Sequence, residues 1–238
     1  MRLLFLSLVF AIAAHAEGPA HIHVFVALAD NQTQGIIPVP AKIGDGNDAV
    51  HNLYWGCDEA LPPVFKASTA WKLTSSTANP TPSVIERVVF THKSGKWILT
   101  ADAYRGSAIR ECTVDFFGAL TGNEPNLALV AYIGHNGLMD FQLPAGAAVR
   151  SNQVREAIVL CCKSADYFGP HLAAVNAKPV LLTTQLMYPG GFLLRTALDG
   201  WTAHETPAQI LSRAAAAYAK NQKISVKAAA GVFTTGKP

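Results

Sequence analysis

The chain has 238 residues, half of them hydrophobic, and its 19 Lys and Arg against 16 Asp and Glu give a formal charge of +3. This length suits one large domain or two very small ones, with enough apolar residues for a substantial core. The charges form no basic stripe, which argues against a nucleic-acid partner. The four cysteines are too few for a disulfide scaffold, although a Cys57–Cys112 bridge stays open as an alternative.

Residues 1–16 have the three parts of a secretory signal peptide. Arg2 supplies a positive charge, an apolar run continues to Ala14, and Ala14-His15-Ala16 places small residues at the cleavage positions. The run is shorter than the roughly 20 residues of a membrane span, although a membrane anchor or a buried first strand is the alternative. We therefore expect a mature domain, residues 17–238, that is secreted or periplasmic and not embedded in a membrane.

Short apolar runs alternate with helical patterns along the chain, which predicts an α/β fold with a mostly parallel sheet. Strands are predicted over 22–28, 84–91, 97–104, 127–133, 157–161 and 180–184, the second and third forming a hairpin. Helices are predicted over 52–57, 107–120, 190–198 and 207–221, with Ser107 and Thr206 as N-caps. Because such sheets are covered on both faces, the sequence predicts a three-layer α/β/α sandwich.

Two of the predicted buried strands end directly on reactive side chains. His135 follows the strand 127–133, and Cys162 follows the strand 157–161. Catalysis in open α/β sheets gathers at the carboxyl ends of the strands, so parallel strands would place both residues at one edge. A neighbouring histidine converts a thiol into the nucleophilic thiolate and later protonates the leaving group.

The turn around His135 has the residue types of a tight catalytic loop. Gly134 and Gly137 allow the backbone to bend sharply and to approach a substrate closely. The backbone N–H groups after the histidine, at Asn136, and at Cys162 are candidate donors to an oxyanion. We therefore assign Gly134, Asn136 and Gly137 to the turn and the oxyanion hole.

These two strand ends resemble those of the caspase-like cysteine peptidases, which include caspases, gingipains and legumains. Residues 129–135 (LVAYIGH) resemble the histidine strand, and residues 160–167 (LCCKSADY) resemble the nucleophile strand, in which a small residue precedes the cysteine. The resemblance covers mainly residues 127–168 and implies a caspase-like domain with His135 as general base and Cys162 as nucleophile. The family has glycine directly after the histidine, whereas Asn136 stands there in this chain; asparagine tolerates unusual backbone angles.

Cys161 and Cys162 are expected to differ, because successive side chains of a strand point to opposite faces. We expect Cys161 to be buried and unreactive and Cys162 to be partly exposed towards His135. The sequence thus predicts an exported cysteine hydrolase, a Cys–His peptidase that acts on a peptide or protein and needs no cofactor. The alternative is a non-catalytic member of the same fold that binds a peptide or an envelope component.

Three other polar residues, an oxygen-rich segment and one tyrosine are also candidates for a functional role. Asp30 and Asn31 follow the first predicted strand, and Ser164 follows Cys162, so these three residues are candidate substrate contacts; loop capping is an equal alternative for the first two. Residues 44–48 (GDGND) are oxygen-rich enough to suggest calcium, but a polar turn is favoured. Tyr54 either lines a substrate groove or covers the sheet, and the second is favoured.

Overall fold

The computed structural model describes residues 18–236. The expected signal peptide and the expected start of the mature chain near Glu17 lie outside this range. Eight strands within the described range form a single sheet. They are β1 (Ala20–Ala27), β2 (Trp71–Ala78), β3 (Val84–His92), β4 (Trp97–Tyr104), β5 (Leu127–Gly134), β6 (Glu156–Leu160), β7 (Lys178–Thr183) and β8 (Phe233–Thr234).

The strand order is β2-β3-β4-β1-β5-β6-β7-β8. The five central strands, β4, β1, β5, β6 and β7, are parallel to one another. Antiparallel pairing is confined to the edges, where β3 joins β2 and β4, and β8 joins β7. The predicted α/β class with a mostly parallel sheet is confirmed, and so is the predicted hairpin of β3 and β4.

Seven α-helices lie within residues 18–236. They are α1 (Leu61–Lys66), α2 (Ile109–Thr121), α3 (Ser164–Tyr167), α4 (Gly169–Ala174), α5 (Gly191–Thr202), α6 (Pro207–Gln222) and α7 (Val226–Ala230). Short 3-10 turns occupy Ala41–Ile43, Gly106–Ala108 and Gly137–Met139. In the described part of the chain, no helix combines the length and the hydrophobicity that crossing a bilayer requires.

Helices cover both faces of the sheet because the strand side chains alternate between two hydrophobic clusters. Helices α1, α5, α6 and α7 pack on one face, against side chains such as Val24 and Ala131. Helix α2 and the α3–α4 segment pack on the other face, against Phe25 and Tyr132. This arrangement is consistent with the predicted three-layer sandwich.

The segment between β1 and β3 differs most from its prediction. No helix forms over 52–57; the chain makes turns there, held by the buried side chain of Asn52, whose Nδ2 donates to Ala29 O at 2.8 Å and to Asp45 O at 2.9 Å. The helix lies further on, as α1, with prolines in its first turn, where a missing N–H costs nothing. Strand β2 was not among the predicted strands; its sequence, WKLTSSTA, is largely polar, and most of its side chains are exposed.

The predicted helix caps have different outcomes. Thr206 is the N-cap of α6, as expected, and it forms a full capping box with Gln209. The Ser107 prediction is wrong, because Ser107 lies inside the 3-10 turn that precedes α2 and gives the helix no side-chain cap.

The Cys57–Cys112 bridge does not form. Cys112 is buried within α2, and Cys57 lies in a loop, where its thiol donates to His51 O at 3.3 Å. Both are free thiols, and burial raises the pKa of each, for Cys112 well above its usual value.

A buried carboxylate, Asp102, ties three strands together. It is 1% exposed and lies on β4. Arg87 of β3 donates to it through Nε at 2.6 Å and Nη2 at 2.8 Å, and Nε2 of His23 of β1 lies 2.9 Å from its Oδ2. The carboxylate is therefore paired on both sides, as a buried charge must be.

Candidate active site

The two residues singled out by the sequence lie at the same edge of the sheet. β5 and β6 are adjacent and parallel, with Ile133 opposite Leu160. β6 ends at Leu160, and β5 ends one residue after Ile133, at Gly134. His135 and Cys162 line one cavity of about 330 Å³. His135 is 7% exposed, and Cys162 is half-buried. The predicted placement of the two side chains at one rim, at the ends of adjacent parallel strands, is what the structure has.

A carboxylate orients the imidazole of His135. Asp140, directly after the 3-10 turn Gly137–Met139, has its Oδ2 at 2.8 Å from His135 Nε2. The same oxygen accepts the N–H of Gly35 at 3.1 Å. An imidazole bonded to a carboxylate through Nε2 carries its proton there and keeps the lone pair on Nδ1. Within residues 18–236, Nδ1 has no hydrogen-bond partner and is not sealed from solvent, so it is available as a base.

The thiol of Cys162 is hydrogen-bonded to the loop that follows β7. The thiol donates to Met187 O at an Sγ–O distance of 3.6 Å, and its sulfur accepts the N–H of Met187 at an Sγ–N distance of 3.4 Å. No hydrogen bond joins it to His135 among the described residues. Catalytic hydrogen bonds are often loose or absent without substrate.

Asn136 connects the two strand ends. It is fully buried, and its Nδ2 donates to the carbonyl of Cys162 at 2.6 Å while its Oδ1 accepts the N–H of Leu138 at 3.0 Å. Its φ of −82° is ordinary, so the unusual backbone angle anticipated for an asparagine here is absent. The amide instead fixes the position of Cys162 relative to the turn that carries His135.

The unusual backbone angle lies at Gly134, whose φ is +122°. A Cβ at this position would meet the carbonyl oxygen of Ala27 at 2.2 Å. Glycine is therefore required where β5 ends against β1, because a side chain has neither the angle nor the space. This tight crossing directs the next residue, His135, out of the sheet.

The candidate oxyanion donors differ in their access to the cavity. Within residues 18–236, neither the N–H of Asn136 nor that of Cys162 donates to a protein acceptor. Asn136 is fully buried, whereas Cys162 lines the cavity. Of these two candidates, only Cys162 belongs to the lining of the cavity.

Burial distinguishes the two adjacent cysteines as expected. Cys161 is fully buried in the cluster with Tyr132 and Phe168, and burial raises the pKa of its thiol well above the usual value. Tyr54, on the cavity side, has its pKa raised by burial and, to a smaller degree, by Cys162. Its phenol is neutral at physiological pH, and Tyr54 lines the cavity, the less favoured of its two sequence interpretations.

The weaker substrate candidates all bond within the protein. Asp30 is buried and accepts hydrogen bonds from Gln32 N and Thr33 Oγ1. Asn31 holds the same loop together by bonding to both backbone groups of Val39. Their side chains fix the loop that borders the cavity, and neither residue lines it.

Ser164 is also fully buried, at the start of α3. Its hydroxyl donates to Val159 O at 2.8 Å and accepts the N–H of Thr183 at 2.8 Å. It does not line the cavity; it ties the turn after Cys162 to β7.

The oxygen-rich segment 44–48 is a hydrogen-bonded turn. Asp45 accepts from Asn47 N at 2.8 Å, and Asp48 bonds to the ring of His51 at 2.7 Å. In the part of the chain that the structure describes, no three His, Cys, Asp or Glu side chains converge in a metal-binding group.

Sequence patterns did not reveal three contributors to the site: Asp140, Met187 and the 35–39 loop. Asp140 had one available signal, its position five residues after His135 in a short turn. Comparison with known proteins found no matching family model, no matching curated protein and no matching solved structure.

Proposed function

We propose that this protein is an exported cysteine hydrolase with a caspase-like fold, which cleaves amide bonds in a peptide or protein substrate. The observation that carries the proposal is the arrangement at the ends of β5 and β6. His135 and Cys162 share one cavity, and the carboxylate of Asp140 lies behind the imidazole. A nucleophile, a base and a group that orients the base are the three parts that acyl transfer through a cysteine needs.

The reaction proceeds through an acyl-enzyme. The thiol turns away from Met187, and Nδ1 of His135 takes its proton as the sulfur of Cys162 attacks the substrate carbonyl carbon. The C–N bond breaks, the imidazolium returns the proton to the leaving amine, and the acyl group remains on sulfur as a thioester. The N–H of Cys162 donates to the carbonyl oxygen while that oxygen carries negative charge.

Water completes the cycle. His135 takes a proton from a water molecule as its oxygen attacks the thioester carbon, the C–S bond breaks, and the sulfur recovers the proton. The acid is released, and one water is consumed for each amide bond. The proposed reaction, from attack on the amide to release of the acid, uses no cofactor.

Binding without catalysis is the second candidate function. It is favoured by the hydrogen bonds of the Cys162 thiol, which among the described residues join it to Met187 and not to His135. A protein of this kind would use the same cavity to hold a peptide or an envelope component.

A peptide-library digest under reducing conditions separates the two functions. The purified mature protein is expected to release new amino termini, and Cys162→Ala is expected to abolish the release. Cys57→Ala is the matched control, because Cys57 is also a half-buried free thiol but lies outside the cavity. If wild type cleaves nothing, or if Cys162→Ala cleaves normally, the hydrolase proposal is wrong.

Export has its own measurement. Amino-terminal sequencing of the protein recovered from outside the cytoplasm is expected to start at or near Glu17. Retention of Met1 in that material would contradict the export proposal.

A further inference from the structure

The cavity beside Cys162 has apolar walls supplied by two loops. Ile36, Ile37 and Val39 come from the loop after β1, and Leu186 and Met187 come from the loop after β7. Its volume of about 330 Å³ is at the lower end of the roughly 300–1,000 Å³ of small-ligand sites. It therefore suits one large side chain and its adjoining backbone.

No Asp, Glu, Lys or Arg of residues 18–236 lines this cavity. The carboxylate of Asp140 contacts the lining residues His135 and Gly35 and is engaged by both. Tyr54 contributes a neutral phenol, since burial raises its pKa. A charged side chain entering the cavity would lose its hydration without gaining an opposite charge, which is costly.

The rim of the cavity carries three exposed apolar side chains. Ile37 is 77% exposed, Leu186 is 56% exposed, and Met139 is 40% exposed, and all three line this cavity. When a ligand covers apolar groups around a concave site, their removal from water lowers the free energy of the complex. The site is therefore complementary to an apolar side chain inside and to apolar neighbours at the entrance.

We propose that this cavity is the specificity pocket of the enzyme and takes a large, uncharged side chain of the leucine, methionine or phenylalanine class. That side chain belongs to the residue whose carbonyl carbon Cys162 attacks. This inference rests on the proposed hydrolase function, because it assigns the position of the side chain relative to the scissile bond.

The test uses one series of blocked peptide amides that differ at a single residue, which is Leu, Met, Phe, Asp, Lys or Asn. With wild type, kcat/KM for the three apolar members is expected to exceed that for the charged members by about 10- to 200-fold, the range that pocket complementarity supplies. Equal or faster cleavage after Asp or Lys overturns the inference and leaves the hydrolase proposal standing.

The same series is titrated against Cys162→Ala, with binding measured by fluorescence anisotropy. Tighter binding of the apolar members without any cleavage by wild type would show an apolar binding pocket but refute the hydrolase, and with it the assignment of the side chain to the residue at the scissile bond. Equal binding of all members overturns the inference whatever the wild type cleaves.

A charge placed at the rim provides a variant test that does not depend on disturbing the core. Leu186→Arg is expected to lower kcat/KM for the Leu peptide by about 10-fold or more and to favour the Asp peptide relative to wild type. Val149→Arg is the matched control, because the Val149 side chain is also exposed, at 60%, but does not line the cavity. If the two variants show the same preference, the side chain of the substrate does not lie in this cavity.

Discussion

Replacing Asn136 tests whether one buried amide holds together the two strand ends that carry His135 and Cys162. Its Nδ2 bonds to the Cys162 carbonyl at 2.6 Å, and its Oδ1 bonds to the Leu138 N–H at 3.0 Å. Asn136→Ala removes both hydrogen bonds and leaves two backbone groups without partners. Asn136→Asp keeps the bond to Leu138 but places a carboxylate oxygen against the carbonyl of Cys162.

The size of the effect follows from these contacts. Each hydrogen bond contributes about 1 kcal/mol net, and a buried group left unsatisfied costs about 1–3 kcal/mol. We expect Asn136→Ala to lower the free energy of unfolding by about 3 kcal/mol, equivalent to a fall in Tm of roughly 6–12 °C for a domain of this size. Asn136→Asp is expected to cost more, because it buries a charge facing a carbonyl dipole.

Urea unfolding followed by tryptophan fluorescence measures both variants. Asn221→Ala is the control; it removes an exposed hydrogen bond to Glu59 and is expected to stay within about 0.5 kcal/mol of wild type. If Asn136→Asp is as stable as wild type, the amide acts only as a cap on Leu138, since Asp and Asn cap equally well. The bridge to Cys162 would then be refuted.

Three further predictions concern the site and its supports. Asp140→Asn is expected to lower kcat by about 100-fold or more with little change in KM, because an amide allows the wrong imidazole tautomer; steady-state kinetics with unchanged circular dichroism would show this. Cys161→Ala is expected to cost about 1–2 kcal/mol in urea unfolding and to retain activity. For Asp102, burial raises the pKa, but the bonds from Arg87 and His23 outweigh it and hold the pKa below its usual value, so its contribution to stability is present above about pH 4 and is lost as the pH falls further. Asp102→Asn is expected to lose about 3 kcal/mol near pH 7 and to flatten that acid loss, as measured by unfolding between about pH 3 and pH 7.

The central sheet could be predicted because buried parallel strands have nearly continuous apolar sequences. β1, β5 and β6 were found in this way, and with them the placement of His135 and Cys162 at the ends of adjacent strands. The N-cap of α6 could also be predicted from local sequence, because Thr206 stands directly before Pro207, the first residue of the helix. Local and strongly periodic features thus determine most of the architecture.

The remaining features depend on contacts that no local pattern encodes. β2 is an edge strand with a mostly exposed, polar sequence, so neither its periodicity nor its hydrophobicity separates it from a loop. Met187 approaches Cys162 from 25 residues away. The cavity walls are likewise built by loops that meet only after the sheet has formed. The role of Asn136 was missed because its partner, the Cys162 carbonyl, is a backbone atom of another strand end.

The opposite orientation of Cys161 and Cys162 has a consequence for oxidative damage. In the exported protein that we propose, the half-buried thiol of Cys162 is open to oxidation to a sulfenic acid, which a second thiol normally rescues by forming a disulfide. Cys161, although adjacent in the chain, is fully buried on the other face of the sheet and cannot act as that resolving thiol. Peroxide would therefore advance Cys162 towards the irreversible sulfinic state unless a small external thiol intercepts it first.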